Sequence, residues 1–247
     1  MSLAPVAMAF LTARWENLVL LNYRCPSDLL APLAPKGTEL DDWRGEHLVS
    51  LVGFQFLDTK LVGIPLLGHR SFVEVNLRFY VRRQPPEGLR RGVVFIRELV
   101  PRALVATAAR LLYNEPYQTV PMTSAVALDP SAGGSAAYSW TPLGSAHELT
   151  ATARGPAEPL APSSEAEFIT EHYWGYNRQR SGRTLEYRVD HPKWLVWSCD
   201  DASYTRPAGS EFYGSGFDTV LGAEPVSAFL ALGSEVAVYR GTRVDTA

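Results

Sequence analysis

The chain has 247 residues, of which 46% are hydrophobic and 11% aromatic, and its formal net charge is -3. This composition supplies a full core and excludes a disordered chain. The weak negative charge and the scattered basic residues give no electrostatic basis for binding nucleic acid. All-β barrels of this length are often single domains, so we expect one domain over residues 1–247.

No membrane segment or disulfide framework is predicted. No run of 18 apolar residues occurs, and residues 1–11 lack the basic and sustained apolar regions of a signal peptide. With only Cys25 and Cys199, two reduced thiols in a cytoplasmic protein are the expected state. Neither cysteine has a histidine near it in sequence, which disfavours a nucleophilic role.

The first half of the chain is dominated by predicted strands, because apolar and aromatic residues cluster or alternate there. These strands cover residues 15–23, 46–58, 72–81 and 92–99, with Gly53 as an expected β-bulge. A short helix should follow Pro26. Residues 61–70 contain two glycines and a proline among apolar residues, which indicates a loop over hydrophobic surface, with a lid as one interpretation.

The clearest helix is predicted to begin at Pro101 and to end at Asn114. Its apolar stripe comprises Leu104, Val105, Ala108, Leu111 and Leu112, opposite Arg102, Ala106 and Arg110.

The second half again favours strands, with one more helix. The strands are expected at about residues 117–128, 135–141, 146–154, 184–189, 194–198 and 235–240. Ser164 and Glu167 have capping-box spacing, which predicts a helix from there to about Tyr173. Residues 225–232 are open between a helical turn and a strand.

The segment 72–81 has two chemically different faces. Because successive side chains of a strand alternate, Val73, Val75, Leu77, Phe79 and Val81 form an apolar face. Glu74, Asn76, Arg78 and Tyr80 form the other face. Turned into a barrel interior, this row suits a small anionic ligand, with Arg78 holding a carboxylate and Glu74 serving as acid or base. The alternative is an ordinary solvated face.

Other candidate site residues lie in two further segments. Glu98 and Arg102 place a carboxylate and a guanidinium at a strand-to-helix junction, where anions are favoured, or they form a surface ion pair. His172 is the imidazole best suited to proton transfer, and it is followed by Tyr173 and Trp174 as candidate ligand contacts. For these three, a structural role is the alternative.

Metal and cofactor motifs are not found. His47, His69, His147 and His191 are too widely spaced for familiar metal-ligand patterns. No G-x-S-x-G elbow occurs, and Gly214-Ser215-Gly216 lacks the spacing and the lysine of a phosphate loop. We therefore expect neither a metal nor a cofactor.

Several motifs resemble the uncharacterised DUF2071 family, which includes YqjF-like proteins. They are the segment Glu74 to Val81, Gly92-Val93-Val94-Phe95, Ala108-Ala109-Arg110, Pro116-Tyr117, Glu171 to Tyr176, and His191-Pro192-Lys193-Trp194. Together they span about residues 15–200. Tyr117 joins the candidate ligand-binding residues on this basis.

That family is similar to the acetoacetate decarboxylase-like group, which implies an α+β, mainly β fold: an antiparallel barrel-like sheet with a few helices packed outside. Enzymes of the group use a lysine that forms a Schiff base. Here Arg97 to Arg102 resembles the lysine-bearing segment, with Arg102 in the place of the nucleophile. Arginine stays protonated and cannot form the imine, so Schiff-base decarboxylation is not expected.

Two functional hypotheses follow. The first is a barrel that binds a small carboxylate or oxo compound, as a lyase-type enzyme without a Schiff-base lysine. The second is a non-catalytic ligand-binding or interaction protein that retains the fold. A third interpretation has the polar face solvated and the protein acting through a homo-oligomer interface.

Overall fold

Strands form most of the chain in the computed structural model, which describes residues 8–244 except 67, 69 and 113, and only the backbone of residues 108–112. His69 and the stripe side chains of Ala108, Leu111 and Leu112 therefore lie outside the described set. The strands are β1 Leu11–Arg24, β2 Glu39–Leu40, β3 Leu48–Leu61, β4 Ile64–Pro65, β5 Phe72–Arg83, β6 Arg90–Val100, β7 Tyr117–Thr119, β8 Met122–Asp129, β9 Gly133–Trp140, β10 His147–Arg154, β11 Glu158–Pro159, β12 Trp174–Arg178, β13 Thr184–Asp190, β14 Leu195–Ser198, β15 Asp201–Thr205, β16 Ser227–Val238 and β17 Thr242–Val244. The helices are α1 Ser27–Leu30, α2 Ala103–Leu112, α3 Glu165–Thr170 and α4 Ser215–Val220, with 3-10 turns at Ala31–Leu33 and Pro142–Gly144.

Seven strands follow one another around a partly closed ring in the order β16, β1, β3, β5, β6, β12 and β13. The ring returns to its start through a short seam, in which Val189 pairs with Val238 and Asp190 with Ala237. The neighbours are antiparallel except β6 and β12, which pair in parallel, as do β6 and β7. The predicted mainly β class is confirmed, and the sheet is mixed where an antiparallel one was expected.

Strand β5 is buried on both faces. Val75, Leu77, Phe79 and Val81 point out of the ring into a core that they share with a second sheet of four strands, in the order β15, β10, β9 and β8. Glu74, Asn76, Arg78 and Tyr80 occupy the opposite face and are also buried. The solvated-face alternative is therefore wrong for this strand.

A bulge in β6 sets which side chains enter the ring. Leu77 pairs with Arg97, and the next residue, Arg78, pairs with Phe95, so Ile96 is the extra residue. Without this insertion, strict alternation would place Phe95 and Glu98 on opposite faces. The bulge keeps both on the inner side.

Gly53 is not a bulge, contrary to the sequence prediction. The extra residue lies across from it in β1, between Glu16 and Val19, where Asn17 has a φ of 58°. Gly53 instead leaves room for Tyr138 of the second sheet, whose ring would lie 2.7 Å from a Cβ at this position. The Tyr138 hydroxyl donates a hydrogen bond of 2.6 Å to the Asn17 carbonyl, so bulge and glycine together hold one tyrosine.

Three other expectations are corrected. Helix α2 begins two residues after Pro101, and Ala106, placed on its polar side, is fully buried. Helix α3 ends at Thr170, before His172 and Tyr173. Strands β12 and β15 and helix α4 were not predicted, and residues 227–238 form one strand.

No helix in the described part of the chain is both long and apolar enough to cross a membrane.

We expect Gly53→Ala to destabilise the protein by about 1 to 3 kcal/mol, because the new methyl group would overlap the Tyr138 ring. Chemical denaturation of the variant measures this loss. In a Tyr138→Ala background the same change should cost much less, and an equal cost in both backgrounds would contradict the explanation.

Candidate functional site

A cavity of about 400 Å³ lies inside the ring. Its lining combines a buried polar group of side chains with a larger apolar and aromatic surface. The polar and histidine members are Glu74, Asn76, Arg78, Glu98, Glu115, Tyr117, Thr170, His172, Tyr187 and His191.

Three carboxyl groups meet at the polar end: Glu74 from β5, Glu98 from β6, and Glu115 from the turn between α2 and β7. Burial raises the pKa of Glu74 to about 7, against hydrogen bonds from Asn76 and Tyr117 and the charge of Arg78. Burial also raises the pKa of Glu115 to about 7. The pKa of Glu98 is well above its ordinary value because of burial and then because of the neighbouring Glu115 and Glu74. The site can therefore hold and release protons near neutral pH.

Two of these carboxyls are oriented by hydrogen bonds. The Tyr117 hydroxyl donates to Oε2 of Glu74 at 2.9 Å, and Nδ2 of Asn76 donates to Oε1 at 3.0 Å. The Tyr187 hydroxyl donates to Oε1 of Glu115 at 2.8 Å. Within the described residues, Oε2 of Glu98 is buried without a hydrogen-bond partner. It is thus open to a ligand in the cavity.

The Tyr187 ring reaches Glu115 because its cross-strand partner is Gly175. A Cβ at Gly175 would lie 2.0 Å from Cζ of Tyr187, so the ring occupies the space that a side chain would fill.

Arg78 supplies a buried positive charge without a counter-ion in contact. Its exposed fraction is 9%, and its Nε atom has no hydrogen-bond partner among the described residues. Across the same part of the chain, no carboxylate lies within ion-pair distance of its guanidinium. A buried charge is costly unless it is paired, so this arrangement favours an anion in the cavity.

His172 lines the cavity and lies next to the carboxylate of Asp41. Its Nε2 atom is 3.4 Å from Oδ2 of the buried Asp41, which also meets Nε of Arg91 at 3.0 Å. Burial lowers the pKa of His172, against the effect of Asp41. The neutral imidazole is therefore the favoured form, and it can accept or relay a proton.

Seven of the ten candidate residues named from the sequence line this one cavity. They are Glu74, Asn76, Arg78, Glu98, Tyr117, His172 and Trp174. Whether each contacts a ligand stays a prediction.

The other three candidates lie outside the lining. The Tyr80 hydroxyl is hydrogen-bonded to Ser50, and its ring packs on His172 with centroids 4.7 Å apart. The Tyr173 hydroxyl donates to Glu171 at 2.6 Å. Arg102 is exposed in the turn after β6, outside the strand alternation, so it does not join Glu98 as expected.

Sequence reasoning missed Glu115, Tyr187, His191 and Trp194 as members of the lining. Glu115 lies beside Pro116 and was interpreted only as a helix end. Tyr187 was on a predicted strand, but no local pattern indicated its face. His191 stacks on Trp194 with ring centroids 4.4 Å apart.

None of the three lysines of the chain lines the cavity. Lys36, Lys60 and Lys193 are all described and all exposed, and Nζ of Lys193 is paired with Glu167. No lysine amine is therefore available inside the ring to form a Schiff base.

The described residues contain no cluster of three or more His, Cys, Asp or Glu side chains arranged to hold a metal ion. Both cysteines are free, and burial raises the thiol pKa of each to about 12.

Comparison with known sequences gives a match over most of the chain. The model of DUF2071, described as an uncharacterized conserved protein (COG2071), matches residues 12–235. The uncharacterized protein YqjF of Bacillus subtilis (strain 168) is 25% identical over 121 residues. That alignment covers 49% of this chain and 48% of YqjF, so the chain matches about half the length of this relative.

Comparison with solved structures shows a shared fold. Acetoacetate decarboxylase from Legionella pneumophila has a TM-score of 0.67 at 14% identity, with 99% of this chain and 91% of that chain covered. An acetoacetate decarboxylase-like enzyme from Sphingomonas wittichii RW1 has a TM-score of 0.65 at 15% identity, covering 98% of each chain. The enduracididine biosynthesis enzyme MppR complexed with pyruvate has a TM-score of 0.65 at 14% identity, covering 98% and 92%.

The raised pKa of Glu115 predicts a pH-dependent gain of stability in Glu115→Gln. Between the ordinary value of 4.5 and about 7, the folded wild type binds more protons than the unfolded chain, so its free energy of unfolding falls as pH rises. The variant lacks this contribution, and its stability relative to the wild type should rise by about 1 to 3 kcal/mol over that window. Denaturation curves at pH 4.5, 6 and 8 measure the difference.

The exposed Glu211 provides a control. Glu211→Gln should not reproduce the gain, because it replaces no buried carboxyl, and the absence of a gain in Glu115→Gln would contradict the burial of its carboxyl.

Proposed function

Since the chain belongs to the DUF2071 family and shares the acetoacetate decarboxylase-like fold, we propose that it binds a small carboxylate or oxo compound inside the ring. In this proposal it acts as a lyase-type enzyme that uses no Schiff-base lysine. The observation that carries the proposal is the buried Arg78, without an ion-pair partner among the described residues, beside Glu74 and Glu98, whose pKa values are raised by burial.

Arg78 holds the anion. A guanidinium presents two parallel N–H donors to a carboxylate, and at a buried site this contact is stronger than at a surface. Asn76 lies between Glu74 and Arg78 on the same face, and its amide Nδ2 can donate a hydrogen bond to an oxo group. The structural relative MppR was solved with pyruvate, which is a ligand of this class.

Glu74 moves the proton. With a pKa of about 7 it is populated in both protonation states at neutral pH, which suits general acid–base catalysis. Tyr117 orients it through the hydroxyl contact. Burial raises the pKa of Glu98 well above its ordinary value, and in its protonated form Glu98 can donate a hydrogen bond to an oxyanion that develops on the substrate. His172 is a second group in the lining for proton transfer.

The alternative is a non-catalytic ligand-binding protein. The exposed positions of all three lysines favour it, because the nucleophile used by the enzymes of this fold group is missing from the cavity. The two functions share the anion site and differ only in turnover.

Replacing Arg78 by alanine should weaken anion binding, because the positive charge that compensates the carboxylate is lost. We expect small carboxylates and oxo acids to raise the melting temperature of the wild type and to bind Arg78→Ala about 10- to 100-fold more weakly. Calorimetric titration of each compound that shifts the melting temperature measures the affinity.

Arg102→Ala is the matched control, since it removes an exposed arginine outside the cavity and should bind as the wild type does. Equal affinities in Arg78→Ala and Arg102→Ala, with both folded, would refute the anion site.

For the enzyme function, Glu74→Gln should abolish turnover while it preserves ligand binding, because the amide keeps the shape and cannot exchange the proton. Turnover assays on the compounds that bind, at pH 6 to 8, provide the measurement. Binding without turnover in the wild type would favour the non-catalytic alternative.

A further inference from the structure

The cavity has two chemically different ends. The polar end is closed, since Glu74, Glu98 and Glu115 are all buried. The other end is apolar and reaches the surface at Leu104, a lining residue with an exposed fraction of 68%.

Four aromatic rings form the wall between these ends. Phe56 stacks on Phe72 with centroids 4.7 Å apart, and it also contacts Phe54 at 5.2 Å and Trp15 at 5.7 Å. Leu18, Leu61 and Leu66 extend the same apolar lining. An apolar lining of this kind gives no favourable contact to water, whereas it can bury the apolar part of a ligand.

Strand pairing orders the two ends along one direction. On β5, Phe72 pairs with Phe56, Glu74 with Phe54, and Arg78 with Ser50. On β1, Trp15 pairs with Phe56. Six residues separate Phe72 from Arg78, which places their Cα atoms roughly 20 Å apart along the strand. The aromatic wall therefore continues from the acid-binding end toward the opening.

The volume exceeds the need of a small oxo acid. Pyruvate has six heavy atoms, as benzene has, and an apolar cavity of about 150 Å³ is enough for benzene. A cavity of about 400 Å³ is in the range of sites that enclose larger organic ligands. A ligand that filled only the polar end would leave the aromatic wall uncovered.

We propose that the ligand is an amphipathic acid, whose carboxylate or oxo-acid head binds at Arg78 and whose aliphatic or aryl tail lies along Trp15, Phe54, Phe56 and Phe72. This rests on the proposed anion site and narrows its ligand class. Burying the tail supplies binding energy, and the head fixes its direction.

A series of straight-chain 2-oxo acids from pyruvate to 2-oxodecanoate, together with phenylpyruvate, tests the tail. Each added methylene buried on the aromatic wall should tighten binding about fourfold, which corresponds to about 0.8 kcal/mol, until the tail reaches the opening. Calorimetric titration gives the affinities, below the concentration at which the longer acids self-associate. Affinity that is independent of tail length would overturn the inference.

Phe72→Ala should remove most of this gain. We expect 2-oxooctanoate to bind it about tenfold more weakly than the wild type, pyruvate to bind equally well, and Phe72→Leu to fall between. Phe212→Ala is the matched control, because Phe212 packs on Arg97, outside the cavity lining, and should leave the series unchanged. An unchanged series in folded Phe72→Ala would also overturn the inference.

The outcomes separate the two proposals. Binding of pyruvate and 2-oxooctanoate with equal affinity, both lost in Arg78→Ala, would refute the tail site and leave the anion site in place. No binding of any acid in the series would refute both.

Discussion

The structure depends on the burial of both faces of β5. One face is apolar and joins the ring to the four-stranded sheet, and the other carries Glu74, Asn76 and Arg78 into the interior. Transferring such groups from water is costly unless they find partners. Because turning the strand over would move Glu74, Asn76 and Arg78 into the apolar core between the sheets, the polar row stays on the cavity side. The packing of the apolar face thus fixes the position of the polar face that carries Glu74, Asn76 and Arg78.

The carboxyls inside the ring offset part of this cost through their raised pKa values, which increase the protonated fraction of each group. A neutral carboxyl buries far more cheaply than a carboxylate, and it gains a donor that a carboxylate lacks. Arg78 cannot respond in this way, since arginine keeps its charge. The interior therefore combines adjustable acids with one fixed cation. That asymmetry is the physical basis of the proposed anion site.

The sequence predicted the strands best where alternation was regular, as in 72–81, and it correctly indicated that Glu74, Asn76 and Arg78 share a face. It failed where long-range contacts decide. Gly53 was predicted as a bulge because its contact with Tyr138, which lies 85 positions later, leaves no signal in the local sequence. Glu115 and Tyr187 meet only through strand pairing across the ring. Arg102 looked similar to a reactive lysine by position in sequence, but the turn after β6 directs it to solvent.

The seam between β13 and β16 is a site where the ring can open locally. Two residue pairs hold it, as two hold β12 to β6, against eleven between β16 and β1, so opening at the seam requires fewer broken hydrogen bonds than opening between β16 and β1. Val189 and Val238, which pair across the seam, also line the cavity. A molecule that touches both valines bridges the two strands and adds contacts that the open ring lacks. Occupancy of the interior is therefore expected to slow hydrogen exchange of the seam amides, because the ligand-bound protein opens at the seam less often than the ligand-free protein.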